Sequence, residues 1–105
     1  MGEKKVVYIA GPITGVPEYW KPFEQAEDEL TAMGFIPLTP TRLPHNLGNA
    51  KAMKICLAMI EQADAVYLLP GWEKSTGANL ETFYCEYTGK PCTDSLAKLA
   101  EMWEG

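Results

Sequence analysis

Two continuous apolar runs, at residues 6–10 and 65–69, constrain the fold of this chain more than any other feature. Each run ends at a glycine-proline pair, and unbroken apolar runs closed in this way are typical of strands buried on both faces of a sheet. Between them, apolar residues recur at helical spacing over residues 19–33 and 49–62. Strands that alternate with helices predict βαβ units, right-handed crossovers and a parallel sheet.

The other segments complete this pattern. Residues 35–38 predict a short strand, which Pro37 restricts to a sheet edge because proline lacks a ladder donor. Lys90 begins a short fourth strand, and Asp94 can cap a last helix. A third helix is predicted with an apolar side formed by Leu80, Phe83, Tyr84 and Tyr87. We expect an α/β fold over residues 1–105, a single-domain open parallel sheet of about four strands with helices on both faces, flavodoxin-like or Rossmann-like.

The composition narrows the function classes. With 47% hydrophobic and 22% charged residues, the chain is globular, and its net charge of −5 without a Lys or Arg run argues against nucleic-acid binding. Three cysteines without a C-x-x-C pair suit reduced thiols in the cytoplasm, and neither a metal site nor a cofactor is predicted. The N-terminus carries neither a signal peptide nor a membrane span. Small molecules are the expected ligands.

In open parallel sheets, ligands bind beyond the carboxyl ends of the strands, where the strand order reverses. Two loops meet this condition, residues 11–15 and residues 70–76. The sequence therefore predicts a ligand site built from these two loops.

Three segments in and around these loops resemble the nucleoside 2-deoxyribosyltransferase superfamily, including its deoxynucleoside-monophosphate N-glycosidase branch. They are YIAGPITG at residues 8–15, ADAV at residues 63–66 and STGANLE at residues 75–81. The PGWE segment at residues 70–73 is similar to small, phage-associated members of the superfamily. The resemblance spans roughly residues 6–91 and implies a nucleoside or nucleotide as the small-molecule partner.

The resemblance assigns Glu81 as the catalytic residue. In the superfamily this glutamate attacks the anomeric carbon of a 2-deoxyribonucleoside, and a second base or water resolves the covalent intermediate. Such a transfer needs an ionised carboxylate, and a helix beginning close to Ala78 would favour the anion through its exposed amides. Tyr8 matches a strand-end tyrosine of the family pocket and is assigned as catalytic together with Glu81, with a place in the core as the alternative.

The resemblance also implies a set of substrate-binding residues. Ser75 matches the serine that contacts the substrate 5′-phosphate. Trp72 is placed to stack on a nucleobase, although a role in the core or in an interface is equally open. The full predicted set is Gly11, Pro12, Ile13, Thr14, Gly15, Cys56, Trp72, Ser75 and Gly77.

The sequence departs from the superfamily at the helper aspartate. Cys56 stands in its place, and Asp64 cannot substitute because it lies at the amino end of its strand. Cys56 is also interpreted as a small buried hydrophobe. Pro12 and Thr14 occupy positions that the monophosphate branch fills with a Ser and an Arg used on phosphate. His45, in a proline-rich loop, is interpreted as solvated.

Three functional hypotheses follow. The first is an N-glycosidase or 2-deoxyribosyltransferase that acts through Glu81. The second is a nucleotide-binding module that kept the pocket and lost the chemistry, as Cys56 suggests. The third is an oligomeric adaptor, which the aromatic residues permit. The sequence leaves open whether the chain is an enzyme and whether it forms a homo-oligomer.

Overall fold

The computed structural model describes residues 3–103, so both ends of the fold predicted over residues 1–105 lie outside the described residues. Its strands form one parallel sheet in the order β2-β1-β3-β4. They are β1 (Val6–Ala10), β2 (Ile36–Leu38), β3 (Ala65–Leu68) and β4 (Cys92–Thr93). The α-helices are α1 (Trp20–Ala32), α2 (Asn49–Gln62), α3 (Thr76–Thr88) and α4 (Leu96–Glu101). The predicted α/β fold is confirmed, and the proline-bearing strand β2 lies at a sheet edge.

The core consists of two apolar layers, one on each face of the sheet. Because successive side chains of a strand point to opposite faces, Val7 and Ile9 of β1 pack against α1 and α4. Tyr8 and Ala10 pack against α2 and α3 on the other face. Helices therefore cover both faces, as predicted.

The strand order places the reversal point between β1 and β3. These two strands pair in parallel from Val7 opposite Ala65 to Ala10 opposite Leu68. At their amino ends, Oδ2 of Asp64 accepts a hydrogen bond of 2.8 Å from the backbone N–H of Val6. Asp64 therefore lies at the edge of the sheet opposite the strand carboxyl ends, as the sequence indicated.

Helix α3 buries its small side chains against the sheet. Ala78 is 2% exposed and Cys85 is 0% exposed, and Glu81 lies between them. Of the apolar side predicted for this helix, Tyr84 packs partly buried against the apolar layer, whereas the others are exposed: Leu80, Phe83 and Tyr87. Small buried residues let the helix approach the sheet closely. The homo-oligomer stays a prediction.

The cap of α4 and the loop after β2 also differ in detail. Ser95 caps α4, since its hydroxyl accepts a 3.2 Å hydrogen bond from the backbone N–H of Lys98, whereas Asp94 was predicted for this role. A short 3₁₀ turn, Pro40–Arg42, interrupts the loop predicted after β2. Within the described residues, no helix has the length and apolar character needed to cross a membrane.

Gly11 follows β1 at a point of close packing, and its replacement by Ala should destabilise the protein. A Cβ at this position would lie 2.9 Å from the Cβ of Leu69, the residue after β3, whose backbone N–H is held by a 2.8 Å hydrogen bond to the carbonyl of Ala10. We expect Gly11→Ala to lower the free energy of unfolding by about 1–3 kcal/mol, measured by urea denaturation.

Gly77→Ala is the matched control for this substitution. Its added Cβ would lie 3.5 Å from the flexible end of Met53, and its place in α3 favours alanine. An equal loss of stability in both variants would contradict the packing argument.

Candidate functional site

A cavity of about 960 Å³ opens at the carboxyl ends of the strands, beside the reversal point between β1 and β3. Its walls come from the loops after β1 and β3, as predicted, and from the first turns of α2 and α3. The loop after β2, residues 39–48, supplies a further wall that the sequence analysis did not include. Since β2 is parallel to β1, its carboxyl end meets the same edge of the sheet.

Three of the predicted site residues meet at the floor of this cavity. The hydroxyl of Tyr8 donates a 2.7 Å hydrogen bond to Oε2 of Glu81, and both residues are buried. Cys56 of α2 lies beside the pair and lines the cavity with Glu81. Strand β1 and helices α2 and α3 thus each contribute one residue. Within the described lining, Glu81 is the one carboxylate.

Burial dominates the ionisation of Glu81. It raises the pKa of this carboxyl from 4.5 to about 7, against the opposing effects of hydrogen bonding by Tyr8 and then Cys56. A helix that begins close to Ala78 was expected to favour the anion through its exposed amides. Helix α3 begins earlier, at Thr76, which puts Glu81 in the second turn, where the effect of the helix dipole is weak.

The neighbours of Glu81 keep their protons. Burial, and next the negative charge of Glu81, raise the pKa of Tyr8 far above its ordinary value of 10.0. Burial is also the main cause of the raised pKa of Cys56. Tyr8 therefore acts as a hydrogen-bond donor to the carboxylate, and Cys56 is a neutral thiol at physiological pH.

The loop before α3 is held by two polar side chains. The hydroxyl of Ser75 caps the helix by accepting a 3.2 Å hydrogen bond from the backbone N–H of Ala78. The amide of Asn79 donates to the carbonyl oxygens of Glu73 (2.8 Å) and Ser75 (2.9 Å). These bonds fix the loop against the first turns of α3 and so orient Glu81.

Most of the predicted site residues come together in the structure. Those that line the cavity are Gly11, Pro12, Ile13, Thr14, Cys56, Ser75, Gly77 and Glu81. Tyr8 lies beneath the lining and reaches it through Glu81. Gly15 and Trp72 are not among the lining residues, and Trp72 packs partly buried against the apolar layer under α2 and α3.

The structure adds residues that the sequence analysis missed. His45 is exposed, as predicted, and it also lines the cavity; its Nε2 lies 3.2 Å from the hydroxyl of Tyr19, another lining residue. The two rings meet edge to face, with centroids 5.8 Å apart. Lys74 also lines the cavity. His45 follows β2 and Lys74 follows β3. This position beyond the carboxyl ends of the strands was the feature of the sequence that could have identified both as cavity residues.

The cavity offers a buried carboxyl group with a hydroxyl donor, which suits nucleophilic or proton-transfer chemistry. Between residues 3 and 103, no group of three or more His, Cys, Asp or Glu side chains is placed to hold a metal ion.

The raised pKa of Glu81 predicts a pH dependence of stability. The stabilising contribution of the neutral carboxyl is complete below the unfolded pKa of 4.5 and is lost as the pH rises through about 7. The loss should approach about 3 kcal/mol in the free energy of unfolding, because each pKa unit corresponds to about 1.4 kcal/mol. Urea denaturation between pH 4 and 8 measures it.

Glu81→Gln is the control, since it keeps the shape of the side chain and removes its ionisation. As the pH rises, the free energy of unfolding of the unchanged protein should fall relative to that of Glu81→Gln. A difference independent of pH would contradict the assignment of the raised pKa to Glu81.

Two solved structures share this fold. The 2-desoxiribosyltransferase from Leishmania mexicana superposes with a TM-score of 0.67 at 24% identity, covering 85% of this chain and 63% of that enzyme. The 2-deoxyribosyltransferase of the psychrotolerant bacterium Bacillus psychrosaccharolyticus gives a TM-score of 0.66 at 23% identity, covering 87% and 74%. This chain thus spans less than two thirds of the Leishmania enzyme. The predicted resemblance is confirmed for the fold.

One family model matches the part of the chain that forms the sheet and the cavity. The model described as "Domain of unknown function (DUF4406)" matches residues 5–94, which include all four strands and every cavity residue. No functionally curated protein matches the chain. The chain therefore belongs to the DUF4406 family, with the fold of the 2-deoxyribosyltransferases.

Proposed function

We propose that this protein cleaves the N-glycosidic bond of 2′-deoxynucleosides or their monophosphates and transfers the deoxyribosyl group through Glu81. The observation that carries the proposal is the buried Tyr8–Glu81 pair at the floor of a cavity beside the reversal point of the sheet. The two enzymes that share the fold are both named as 2-deoxyribosyltransferases, and this supports 2′-deoxynucleosides as the class of substrate.

The arrangement fits attack by a carboxylate. The hydrogen bond from Tyr8 occupies Oε2 and leaves Oε1 of Glu81 for the anomeric carbon. A C–O bond then forms, the C–N bond breaks, and its electron pair leaves with the base. Water or a second base attacks the same carbon and releases Glu81. Because the carboxyl must first lose its proton, turnover should rise with pH through about 7.

Departure of the base is the weak point of this site. The leaving base needs a proton, and Cys56 is a poor acid because burial raises the pKa of its thiol. Bases that leave readily should therefore be preferred. Lys74 lines the cavity as a cation, and its place beside the Ser75 cap favours a 5′-phosphate.

The test is base release from a substrate panel. The purified protein is incubated with 2′-deoxynucleosides, their 5′-monophosphates and the matching ribonucleosides, and free base is measured by chromatography. We expect release from the deoxy compounds only. Release equal to a protein-free blank across the panel would overturn the enzymatic function, and faster cleavage of ribonucleosides would overturn the substrate class.

The replacement of the superfamily's helper aspartate by Cys56 favours a second candidate function. A nucleotide-binding domain without turnover would keep the cavity and need no acid for the leaving base. It predicts that millimolar deoxynucleoside monophosphates raise the melting temperature by mass action while no base is released. An unchanged melting temperature would count against binding in either role.

Tyr8→Phe tests the part played by the buried hydroxyl. Loss of its hydrogen bond removes about 1.5–3 kcal/mol of stabilisation from the ionised form of Glu81. The pKa of Glu81 should therefore rise further, by about one to two. The pH at which base release is half-maximal should increase accordingly, with the same plateau at high pH. A lower plateau with an unchanged midpoint would show that Tyr8 does not control this ionisation.

A further inference from the structure

Two thiols lie side by side where α3 meets β4, outside the cavity lining. Cys85 is fully buried in the last turns of α3, and Cys92 begins β4 and is half-buried. Both side chains belong to the apolar layer in which α3 packs against β4. The turn between them is set by Gly89 at φ 78° and by a 2.8 Å bond from the backbone N–H of Lys90 to the carbonyl of Cys85. This turn brings the start of β4 back beside the last turns of α3, so the two cysteines lie near each other.

The surroundings shift the pKa values of the two thiols in opposite directions. Hydrogen bonding by Cys85, and then by Thr82, lowers the pKa of Cys92 despite burial and the charges of Glu86 and Asp94. The bond to Cys92, followed by burial, raises the pKa of Cys85, although Lys90 opposes this. Cys92 is thus both the more acidic thiol and the more accessible one.

We propose that Cys85 and Cys92 form a reversible dithiol–disulfide site whose oxidant is a small hydroperoxide. The sulfur of Cys92 attacks the peroxide oxygen, the O–O bond breaks, and water and a Cys92 sulfenic acid form. The sulfur of Cys85 then attacks that of Cys92, and the hydroxyl leaves as water with the Cys85 proton. Two protons and two electrons pass from the thiols to hydrogen peroxide, which becomes two waters.

Cys56 provides an internal comparison. It is the third cysteine of the described residues, and its neighbours are Tyr8 and Glu81 at the cavity floor. Because its pKa is raised by burial, it should react slowly with peroxide. Oxidation at low peroxide should therefore consume the thiols of the pair and spare Cys56.

Thiol counting on the full chain tests the proposal. The reduced protein is treated with stoichiometric hydrogen peroxide, unfolded, and titrated with Ellman's reagent. Of its three thiols we expect one to remain, with complete recovery after dithiothreitol. Digestion by glutamyl endopeptidase, which can cut after Glu86, should give peptides joined through Cys85 and Cys92. Loss of the Cys56 thiol or a cross-link between two molecules would overturn the proposal.

Serine variants separate the roles. Cys56→Ser should still lose two thiols, and Cys92→Ser should lose none at the same peroxide concentration. Cys85→Ser should accumulate the Cys92 sulfenic acid, which dimedone labels in the folded protein. Loss of two thiols in Cys92→Ser, or dimedone labelling confined to Cys56 in Cys85→Ser, would contradict the site.

Discussion

Replacing Cys56 by Asp should raise the rate of base release about a hundredfold, because it supplies an acid where the present thiol is a poor one. Cys56 lines the cavity beside Glu81, so a carboxyl group at this position would face the same substrate atoms. General acid catalysis contributes typically 10²–10⁴-fold, and the lower value suits an acid placed by substitution alone. The measurement is the initial rate of base release from the best deoxynucleoside of the panel.

Cys56→Asn is the matched control for this gain. Asparagine has nearly the size and polarity of aspartate but no acidic proton, so its rate should stay near that of the unchanged protein. Circular dichroism checks that both variants fold, since a second buried carboxyl beside Glu81 costs stability. A folded Cys56→Asp protein that binds the deoxynucleoside without any rate increase would contradict the helper role of this position.

Glu81→Gln should lower base release about a thousandfold or more. The amide keeps the shape of the side chain and can still accept a hydrogen bond from Tyr8, but it cannot attack the anomeric carbon. Binding should persist, because the cavity walls are unchanged, so a deoxynucleoside should still raise the melting temperature of the variant.

The control for this loss is Glu86→Gln, which alters an exposed glutamate on the same helix. Its rate should match that of the unchanged protein within about twofold, as is usual for an exposed site away from the chemistry. Similar losses in both variants, or full activity in Glu81→Gln, would rule out Glu81 as the nucleophile.

The sequence predicted the parts of the molecule that depend on local pattern. Unbroken apolar runs closed by glycine and proline identified β1 and β3, and parallel topology then put the site at their carboxyl ends. Pro37 identified the edge strand because its missing donor is a local property. The positions of Glu81 and Ser75 followed from the resemblance to a known superfamily.

What the sequence could not predict depends on packing between elements. The apolar side of α3 in the sequence is not the side that the structure buries, because closeness to the sheet favours the small Ala78 and Cys85 over Phe83. The raised pKa of Glu81 follows from that same burial, which no local pattern encodes. His45 lines the cavity from the loop after β2, and the sequence of this loop has neither a helical nor a strand period.

The role of Glu81 as nucleophile is tested most directly by looking for the deoxyribosyl group on the protein itself. The protein is mixed with its best deoxynucleoside at pH 8, quenched with acid at early times, digested and mapped by mass spectrometry. We expect a deoxyribosyl ester on Glu81 that is absent from Glu81→Gln. Release of base with the adduct on another residue, or an identical adduct in the Glu81→Gln protein, would contradict it.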